Sequence, residues 1–410
     1  MTDTANQAIE KNYRVGYCTN VHAGRDLPSV LDNLAIHCLP IRRLLNFDRP
    51  LSVGLWFSEI SAAQSLQPEQ LTLLKSKLSE FQLVPFTLNG FPQRDFHSQV
   101  VKHRVYQPTW WQRERLDYTL NLIQLLDQIL PVGEIGSIST LPIAWSKPTP
   151  TREQLKLAAA QLLEVAVVLQ RLFEKKGRKI VLAIEPEPGC YLTDSASFRS
   201  FFNQYLRPST LPDRTLDNLG EYLTLCHDVC HAAVMYEDQS HELRQLKMDE
   251  IAIGKVQVSS AIRVDWDSMT ELERIEAFEQ LRGFAEDRYL HQTHCRDSRK
   301  TTCELVEDLP LALSSVSSPD KLSGEWRIHF HVPIFQNRFG MIHSTQNEIT
   351  KMLDILDGSN TEGPKFTGHY EVETYAWSVL PERMRVDSLN EGIAKEITWF
   401  KKQLCIREAR

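Results

Sequence analysis

The chain has 410 residues, of which 42% are hydrophobic and 24% are charged, and its formal net charge is −7. Acidic and basic residues are interspersed, so the sequence lacks the concentrated positive face that binding to nucleic acid or an anionic membrane requires. No apolar run approaches the roughly 20 residues that cross a bilayer, and the polar N-terminus lacks the apolar core of a secretion signal. We therefore predict a cytoplasmic protein with reduced cysteines and a small-molecule partner, without a transmembrane segment or a nucleic-acid partner. A homo-oligomer is compatible with the sequence.

Eight short apolar runs alternate with longer amphipathic stretches along the chain. The runs are Arg14–Cys18, Leu51–Phe57, Leu83–Leu88, Glu134–Ser139, Lys179–Glu185, Tyr222–Asp228, Gly254–Ser259 and His369–Tyr375. Each is about as long as a buried parallel strand, and most are apolar almost throughout. The stretches between them space apolar residues at helical intervals, as in Pro28–Leu45, Pro68–Glu80, Arg113–Leu130 and Thr151–Lys176.

Eight strand–helix units predict an α/β protein, a (β/α)₈ TIM barrel formed as a single domain over residues 1–410. An open doubly wound sheet is the alternative. It is less favoured because no glycine-rich dinucleotide fingerprint follows the first run, at Cys18–His22.

The gap between the seventh and eighth runs is much longer than one helix and one loop. It contains a charged helical stretch, Met269–Arg288, and a strand-like run, Trp326–Phe335. We predict that residues 262–350 are an insertion at the barrel mouth, where such barrels vary. The alternative makes Arg327–Val332 the eighth strand and leaves the C-terminal part as an appendage.

Polar residues end several of the apolar runs, and in a parallel barrel these ends form the active-site face. Glu185 follows four apolar residues directly, and Asp228 ends the sixth run with His231 three residues later. Taken alone, each also fits a structural role, such as a helix cap, an ion pair or a packed core histidine.

Two further oxygen donors come from the last two runs. Gln257 is an unusual residue inside an apolar strand and must find polar partners. Glu371 and Glu373 share one face of the eighth run, and Glu373 is nearer its end. Glu185, Asp228, Gln257 and Glu373 together form an oxygen-rich ligand set that favours Mg²⁺ or Mn²⁺, although Zn²⁺ is also compatible. If Arg327–Val332 were the eighth strand, His329 or His331 would replace Glu373 and the site would favour zinc.

These residues stand in a pattern that resembles the xylose-isomerase-like TIM barrels, the sugar isomerase and epimerase superfamily. The segments are Ile184-Glu185-Pro186, Asp228-Val-Cys-His231, Val256-Gln257-Val258 and Val372-Glu373-Thr374. The glutamine on strand seven is most similar to the hydroxypyruvate-isomerase and inosose-dehydratase branches. A closer likeness is to the EboE proteins, barrel members of a bacterial operon associated with metabolite traffic. It is carried by Tyr17–His22, Leu88–Pro92, Phe330–Pro333 and Glu373–Trp377.

The resemblance implies a metal-dependent isomerase or epimerase that acts on a small sugar or keto/hydroxy metabolite through enediolate proton transfer. Glu185 and Glu373 would be both metal ligands and acid/base groups, Asp228 a ligand only, and His231 a group that grips a substrate oxygen. The remaining substrate-binding candidates are His22, Asn89, His331 and Arg263.

Two other functions stay open at this point. The EboE likeness implies a non-catalytic, metal-containing protein that binds or transports a metabolite. An abasic-site endonuclease shares the barrel, but the charge of −7 argues against it.

Overall fold

The structure, a computed structural model, describes residues 12–45, 49–207, 218–300, 303–356, 362–381 and 388–408. Eight parallel strands form its central sheet. They are β1 (Arg14–Tyr17), β2 (Leu51–Trp56), β3 (Leu83–Asn89), β4 (Gly136–Thr140), β5 (Ile180–Ile184), β6 (Leu223–Asp228), β7 (Ile253–Val258) and β14 (His369–Val372). Their order is β1-β14-β7-β6-β5-β4-β3-β2, and a parallel bridge between Cys18 and Gly54 joins the two ends. The predicted TIM barrel is confirmed, and each predicted run overlaps one barrel strand.

Helices surround the barrel and connect its strands. Their bounds are Leu27–Asn33, Leu39–Leu44, Glu59–Ser65, Pro68–Glu80, Arg113–Ile129, Arg152–Lys176, Ser195–Phe201, Val229–Val234, Gln239–Met248, Glu271–Arg282, Leu309–Ser314, Gln346–Leu356 and Leu389–Glu408. The π-helical segments Leu34–Cys38 and Phe202–Leu206 continue two of them. Among the helices described, none combines the length and apolarity that a bilayer crossing requires.

The helix Arg152–Lys176 shows how local sequence sets these bounds. Thr151 and Gln154 form a reciprocal capping box at its start, which satisfies backbone N–H groups that have no helical partner. Gly177 ends it in the left-handed conformation, with φ of 65°, where a side chain would be strained. The predicted stretch Thr151–Lys176 therefore matches the helix together with its N-cap.

The chain between β7 and β14 forms a second sheet, which is antiparallel. Its strands are β8 (Ile262–Asp265), β9 (Thr293–Arg296), β10 (Cys303–Val306), β11 (Glu325–Ile328), β12 (Arg338–Phe339) and β13 (Ile342–Ser344), in the order β10-β9-β11-β8-β13-β12. The long insertion between the seventh and eighth barrel strands is thus confirmed.

The alternative eighth strand, Arg327–Val332, is wrong. Strand β11 pairs antiparallel with β8 and β9 inside the second sheet. Strand β14 instead pairs in parallel with both β1 and β7, which fixes it as the last barrel strand. After β11 the chain turns back onto the barrel mouth, where the backbone N–H of Val332 donates to the carbonyl of Ser260 at 3.0 Å.

Candidate metal centre

Three carboxylates meet at the C-terminal ends of the barrel strands. Glu185 follows β5 directly, Asp228 ends β6, and Glu373 follows β14 directly. All three residues are buried, with an exposed fraction of at most 4%. One oxygen of each lies within 4.8 Å of an oxygen of the other two. The structure therefore brings together three of the four residues that we expected to bind a metal.

Burial and mutual repulsion dominate the electrostatics of these carboxylates. Burial, reinforced by the charges of Glu373 and Asp228, raises the pKa of Glu185 well above its usual value. Burial and the nearby acids Asp228 and Glu371 likewise raise the pKa of Glu373. Burial opposes ionisation of Asp228 as well, but His231, His331 and two hydrogen bonds outweigh it and lower that pKa. A buried group of this kind requires positive charge nearby in order to ionise fully.

The two oxygens of Asp228 have different surroundings. Its Oδ1 accepts hydrogen bonds from the backbone N–H of His231 and the hydroxyl of Ser259, both at 2.8 Å. The first of these bonds caps the helix Val229–Val234. Its Oδ2 is buried and has no hydrogen-bond partner among the described residues. The side chain is therefore held through one oxygen, while the other remains available to a ligand.

Gln257 lies on β7 between two acidic positions. In the strand register it is paired with Asp228 of β6 and with Glu371 of β14. The residue is fully buried, and neither its amide oxygen nor its amide nitrogen finds a hydrogen-bond partner among the described residues. A buried amide in this state requires an explanation, and coordination of a cation by its oxygen provides one.

Two asparagines hold the carboxylate of Glu373. The amide of Asn20 donates to its Oε1 at 2.7 Å, and the amide of Asn89 donates to the same oxygen at 2.9 Å. Asn89 was expected at the site from the sequence. Asn20 was missed, because it lies in the short segment after β1, where no apolar pattern marks its direction.

A buried ion pair lies inside the barrel on the same strands. Lys255 is two residues before Gln257 on β7, and its Nζ lies 2.5 Å from Oε2 of Glu371, with both side chains fully buried. Although burial alone would lower it, the charge of Glu371 holds the pKa of Lys255 above its usual value. Since Lys255 is paired with Glu371, the cluster of Glu185, Asp228 and Glu373 keeps an excess of acidic groups.

Two histidines, His231 and His331, lie next to the carboxylate of Asp228. His231 directs Nδ1 to the carbonyl of Pro186 at 2.8 Å, and His331 directs Nδ1 to the carbonyl of Glu373 at 2.6 Å. The Nε2 of His331 lies 3.8 Å from Oδ2 of Asp228. Burial lowers the pKa of His331 to about 4, so its ring is neutral at pH 7. The segment after β11 thus supplies His331 to the mouth, while Glu373 keeps its place on the eighth strand.

A small pocket of about 60 Å³ opens onto this group. Its polar lining includes Asn20, Asn89, Glu185, Glu187, His231, His329, His331 and Glu373, and its apolar lining includes Phe91, Phe96, Val101, Val105, Leu290 and Tyr375. The volume holds a few water molecules or a compact ligand, since one water needs roughly 10–15 Å³.

Two expected substrate-binding residues are not brought to this pocket. His22 stacks on His37 with ring centroids 3.8 Å apart, and its Nε2 lies 3.2 Å from the hydroxyl of Tyr17. Arg263 lies on β8, where its guanidinium pairs with Glu325 at 2.5 Å and Asp265 at 3.3 Å. Arg263 follows β7 closely in sequence, but the chain enters the second sheet there instead of turning into the pocket.

Glu187 lines the pocket and was not selected from the sequence. It accepts hydrogen bonds from the hydroxyl of Tyr106 at 2.8 Å and from the amide of Gln292 at 3.0 Å. Burial raises its pKa, although its hydrogen bonds and His231 act in the opposite direction. The motif Glu185-Pro-Glu187-Pro could have indicated Glu187 as a pocket residue, because the two prolines keep both acids out of regular structure at the end of the strand.

The donor set fits a divalent cation. A bound ion would satisfy the buried carboxylates of raised pKa. It would also satisfy the Asp228 oxygen and the Gln257 amide, which have no hydrogen-bond partner in the part of the chain that the structure describes. Oxygen donors of this kind suit hard ions.

Comparisons with known proteins bear on the fold. No protein-family model matches the sequence, and no curated protein matches it. A xylose isomerase-like TIM barrel protein from Mycobacterium smegmatis, solved in complex with magnesium, is similar over 97% of this chain and 98% of that one, with 10% identity and a TM-score of 0.51. The chain therefore has the fold of the xylose isomerase-like TIM barrels.

Two other solved structures are similar at lower TM-scores. The probable 3-DHS dehydratase AsbF from Bacillus anthracis has a TM-score of 0.44 and 11% identity, over 94% of this chain and 97% of that one. A xylose isomerase domain protein from Alicyclobacillus acidocaldarius has a TM-score of 0.43 and 12% identity, over 96% and 99%. No comparison bears on the likeness to the EboE proteins, which stays a prediction.

Proposed function

We propose that this protein is a metal-dependent isomerase or epimerase that acts on a compact sugar or keto/hydroxy metabolite. The observation that carries the proposal is the buried cluster of Glu185, Asp228 and Glu373, whose oxygens lie within 4.8 Å of one another at the barrel mouth. Three acids in one buried place are costly unless they bind a cation or exchange protons. The proposed site does both.

Glu185, Asp228, Gln257 and Glu373 would hold the ion, with Mn²⁺ or Mg²⁺ favoured by the oxygen donors and Zn²⁺ compatible. The similar barrel from Mycobacterium smegmatis was solved with magnesium. When bound, such an ion polarises a substrate carbonyl and acidifies the neighbouring C–H bond.

Glu185 and Glu373 are the proposed acid and base. Both have raised pKa values because they are buried beside other acids, and a carboxyl group whose pKa is raised holds and exchanges a proton more readily than an ordinary one. The amides of Asn20 and Asn89 occupy Oε1 of Glu373. Its Oε2 is therefore the oxygen left to face the ion and the substrate. Ionised Glu373 would take a substrate proton to give an enediolate, and protonated Glu185 would give its proton to the adjacent carbon in an isomerisation or to the opposite face of the same carbon in an epimerisation.

The pocket limits the substrate. A volume of about 60 Å³ admits a compact molecule, and the aromatic and aliphatic wall excludes bulk water from the proton-transfer step. Lys102 lines the pocket, but its Nζ is paired with Asp308 at 2.6 Å. This pairing favours an uncharged or weakly charged polyhydroxylated carbonyl compound over a phosphorylated one.

The test is solvent deuterium exchange. The metal-loaded protein is incubated in D₂O with a panel of small sugars, keto acids and hydroxy ketones, and NMR follows loss of the proton beside the carbonyl. Glu373→Gln should lower the exchange rate by about 10² to 10⁴-fold, the usual contribution of a positioned acid or base. Glu276→Gln, an exposed helical position, is the matched control and should exchange like the wild type.

Two outcomes of this experiment would count against the proposed enzyme. A Glu373→Gln protein that exchanges as fast as the wild type contradicts the proposed role. Silence of the metal-loaded wild type across the whole panel favours the non-catalytic metabolite-binding or traffic protein.

A further inference from the structure

Glu187 is a buried acid of the pocket that does not belong to the cluster of three carboxylates. Its Oε1 accepts from the hydroxyl of Tyr106 at 2.8 Å and from the amide of Gln292 at 3.0 Å. Its Oε2 has the thiol of Cys190 at 3.9 Å, and a thiol is a weak donor. Glu187 is therefore fixed through one oxygen, while the carboxylate keeps the capacity to accept further hydrogen bonds.

The pocket offers Glu187 no lysine or arginine partner among the described residues. Lys102 is the basic residue of the lining, and its Nζ lies 2.6 Å from Oδ2 of Asp308. His329 is close, with Nδ1 3.7 Å from Oε1 of Glu187, but burial and the neighbouring histidines lower the pKa of its ring well below the usual value. That ring is neutral at pH 7, so it does not offset the charge of Glu187. A buried carboxylate in this situation is costly until a positive charge arrives.

Three aromatic rings form the pocket wall near this carboxylate. Phe96, Tyr289 and Tyr375 all line the pocket, with ring centroids 5.0 to 5.5 Å apart. The hydroxyl of Tyr375 lies 3.5 Å from Nε2 of His329, whose Nδ1 lies 3.7 Å from Glu187. One imidazole therefore separates the ring cluster from the carboxylate.

A carboxylate and an aromatic cluster around one small cavity suit an alkyl ammonium ion. The carboxylate accepts charge-assisted hydrogen bonds from the N–H groups, and the aromatic faces attract the positive charge. A hydroxyl group would use the carboxylate but would gain no cation–π attraction from the rings. An anionic group would face Glu187 without a free lysine or arginine in the described lining.

We propose that the substrate of this pocket carries an amino group, which binds as an ammonium ion to Glu187 and to the ring cluster of Phe96, Tyr289 and Tyr375. The inference deepens the proposed function and rests on it for the other end of the substrate, whose carbonyl the metal would polarise. It narrows the substrate class to compact amino ketones and amino sugars. Tyr289 and Gln292 both lie in the insertion, so the insertion supplies part of the ammonium site and one of the groups that position Glu187.

The test compares two nearly isosteric ketones, aminoacetone and hydroxyacetone. They share the carbonyl and differ only in the ammonium or hydroxyl group on the neighbouring carbon. Isothermal titration calorimetry at pH 7 measures both dissociation constants with the full-length protein in Mg²⁺, an ion that prefers oxygen to nitrogen ligands. The wild type should bind aminoacetone about 10-fold or more tightly, because a charge-assisted hydrogen bond is roughly twice as strong as a neutral one.

Two variants and one control locate the preference. Glu187→Gln keeps an oxygen for the hydroxyl of Tyr106 but removes the charge, so it should bind both ketones about equally. Unchanged affinity for hydroxyacetone also shows that this variant is folded. Phe96→Leu removes one ring and should reduce the preference by a factor of about 2 to 10. Glu348→Gln neutralises a buried glutamate on the helix Gln346–Leu356 and should keep the wild-type preference.

Equal affinity of the wild type for the two ketones, a preference for hydroxyacetone, or binding of neither overturns the ammonium site. A preference that persists in Glu187→Gln overturns the role of Glu187. If that variant binds neither ketone, Phe96→Leu decides, and an unchanged preference there counts against the ring cluster.

Deuterium exchange keeps this inference separate from the proposed function. A wild type that exchanges protons of hydroxyacetone but shows no preference for aminoacetone retains the proposed isomerase chemistry and loses the ammonium site. A wild type that prefers aminoacetone through Glu187 but exchanges neither ketone retains the ammonium site and counts against the proposed chemistry.

Discussion

Glu396 is a buried acid whose ionisation should set part of the pH dependence of stability. It lies on the C-terminal helix Leu389–Glu408 and is fully buried. Its Oε1 accepts from the hydroxyl of Thr374 at 2.6 Å and the backbone N–H of Ile334 at 3.1 Å. Its Oε2 accepts from the indole N–H of Trp377 at 3.1 Å. The carboxyl group therefore joins the C-terminal helix to the insertion and to the segment after β14.

Burial raises the pKa of Glu396 from its ordinary 4.5 to about 7, although the three hydrogen bonds oppose this rise. Between these two values the folded protein keeps the proton and the unfolded chain releases it. The contribution to stability is therefore present below pH 4.5 and is lost as the pH rises through 7. Integrated from pH 5 to pH 8, the loss is about 2 to 3 kcal/mol in the free energy of unfolding.

Glu396→Gln removes this ionisation. The amide oxygen still accepts from Thr374 and Ile334, while the amide nitrogen faces Trp377, a cost that is the same at every pH. Urea unfolding of both proteins at pH 5 and pH 8 measures the effect. The advantage of the wild type over the variant should be about 2 to 3 kcal/mol larger at pH 5.

The control is Glu276→Gln, an exposed position, for which the difference from the wild type should not change with pH. A difference between the wild type and Glu396→Gln that is equal at pH 5 and pH 8 would refute the reasoning. It would show that Glu396 is ionised throughout, with its three donors outweighing burial.

Three other predictions concern the barrel interior. Lys255→Met leaves Glu371 buried without its partner, so it should lower the free energy of unfolding by about 3 to 5 kcal/mol, and Lys255→Met/Glu371→Leu should recover most of this in urea denaturation. A divalent ion at about 100 times its dissociation constant should stabilise the wild type by about 2.7 kcal/mol; calorimetry should show this gain strongly reduced in Asp228→Asn, and an equal gain would contradict a ligand role. Asn89→Ala removes a hydrogen bond to the carboxylate of Glu373, worth about 1.5 to 3 kcal/mol, so kcat/KM should fall by about 10 to 160-fold, and an unchanged value would contradict its role.

The barrel could be predicted because parallel strands inside a closed sheet are apolar on both faces. Runs such as Leu51–Phe57 and Lys179–Glu185 are short and continuous, and the long stretches between them have helical spacing. The insertion was harder to interpret, because β11 also reads as a short strand. Only its pairing with β8 and β9 shows that it belongs to another sheet.

The carboxylate centre was predictable for a related reason. A charged residue that directly follows an apolar barrel strand lies at the mouth of the barrel. Because the strands are parallel and all end at the same face, Glu185 and Asp228 lie on one rim. Gln257 could be identified because an amide is exceptional inside a barrel strand. The same logic applies to Lys255, which interrupts the same strand and whose partner is the unselected Glu371.

The side-chain directions of His22 and Arg263 could not be predicted from the sequence. Both lie just beyond a barrel strand, where the direction of a side chain depends on the loop rather than on strand periodicity. His22 packs against His37, and Arg263 is held by Glu325 from across the second sheet. The partners that fix these side chains are distant in the sequence or belong to another element, so spacing carries no information about them.

The insertion adds imidazole groups to the mouth of the barrel. The barrel itself contributes the carboxylates of Glu185, Asp228 and Glu373 and the imidazole of His231, and the segment after β11 adds His329 and His331. His331 donates to the backbone carbonyl of Glu373, so the position of the insertion and the position of the Glu373 carboxylate are mechanically linked. Because Ile334 in the same segment binds Glu396, the C-terminal helix supports this link from the outside. Changes in the insertion should therefore alter metal binding at the mouth while the barrel sheet remains folded.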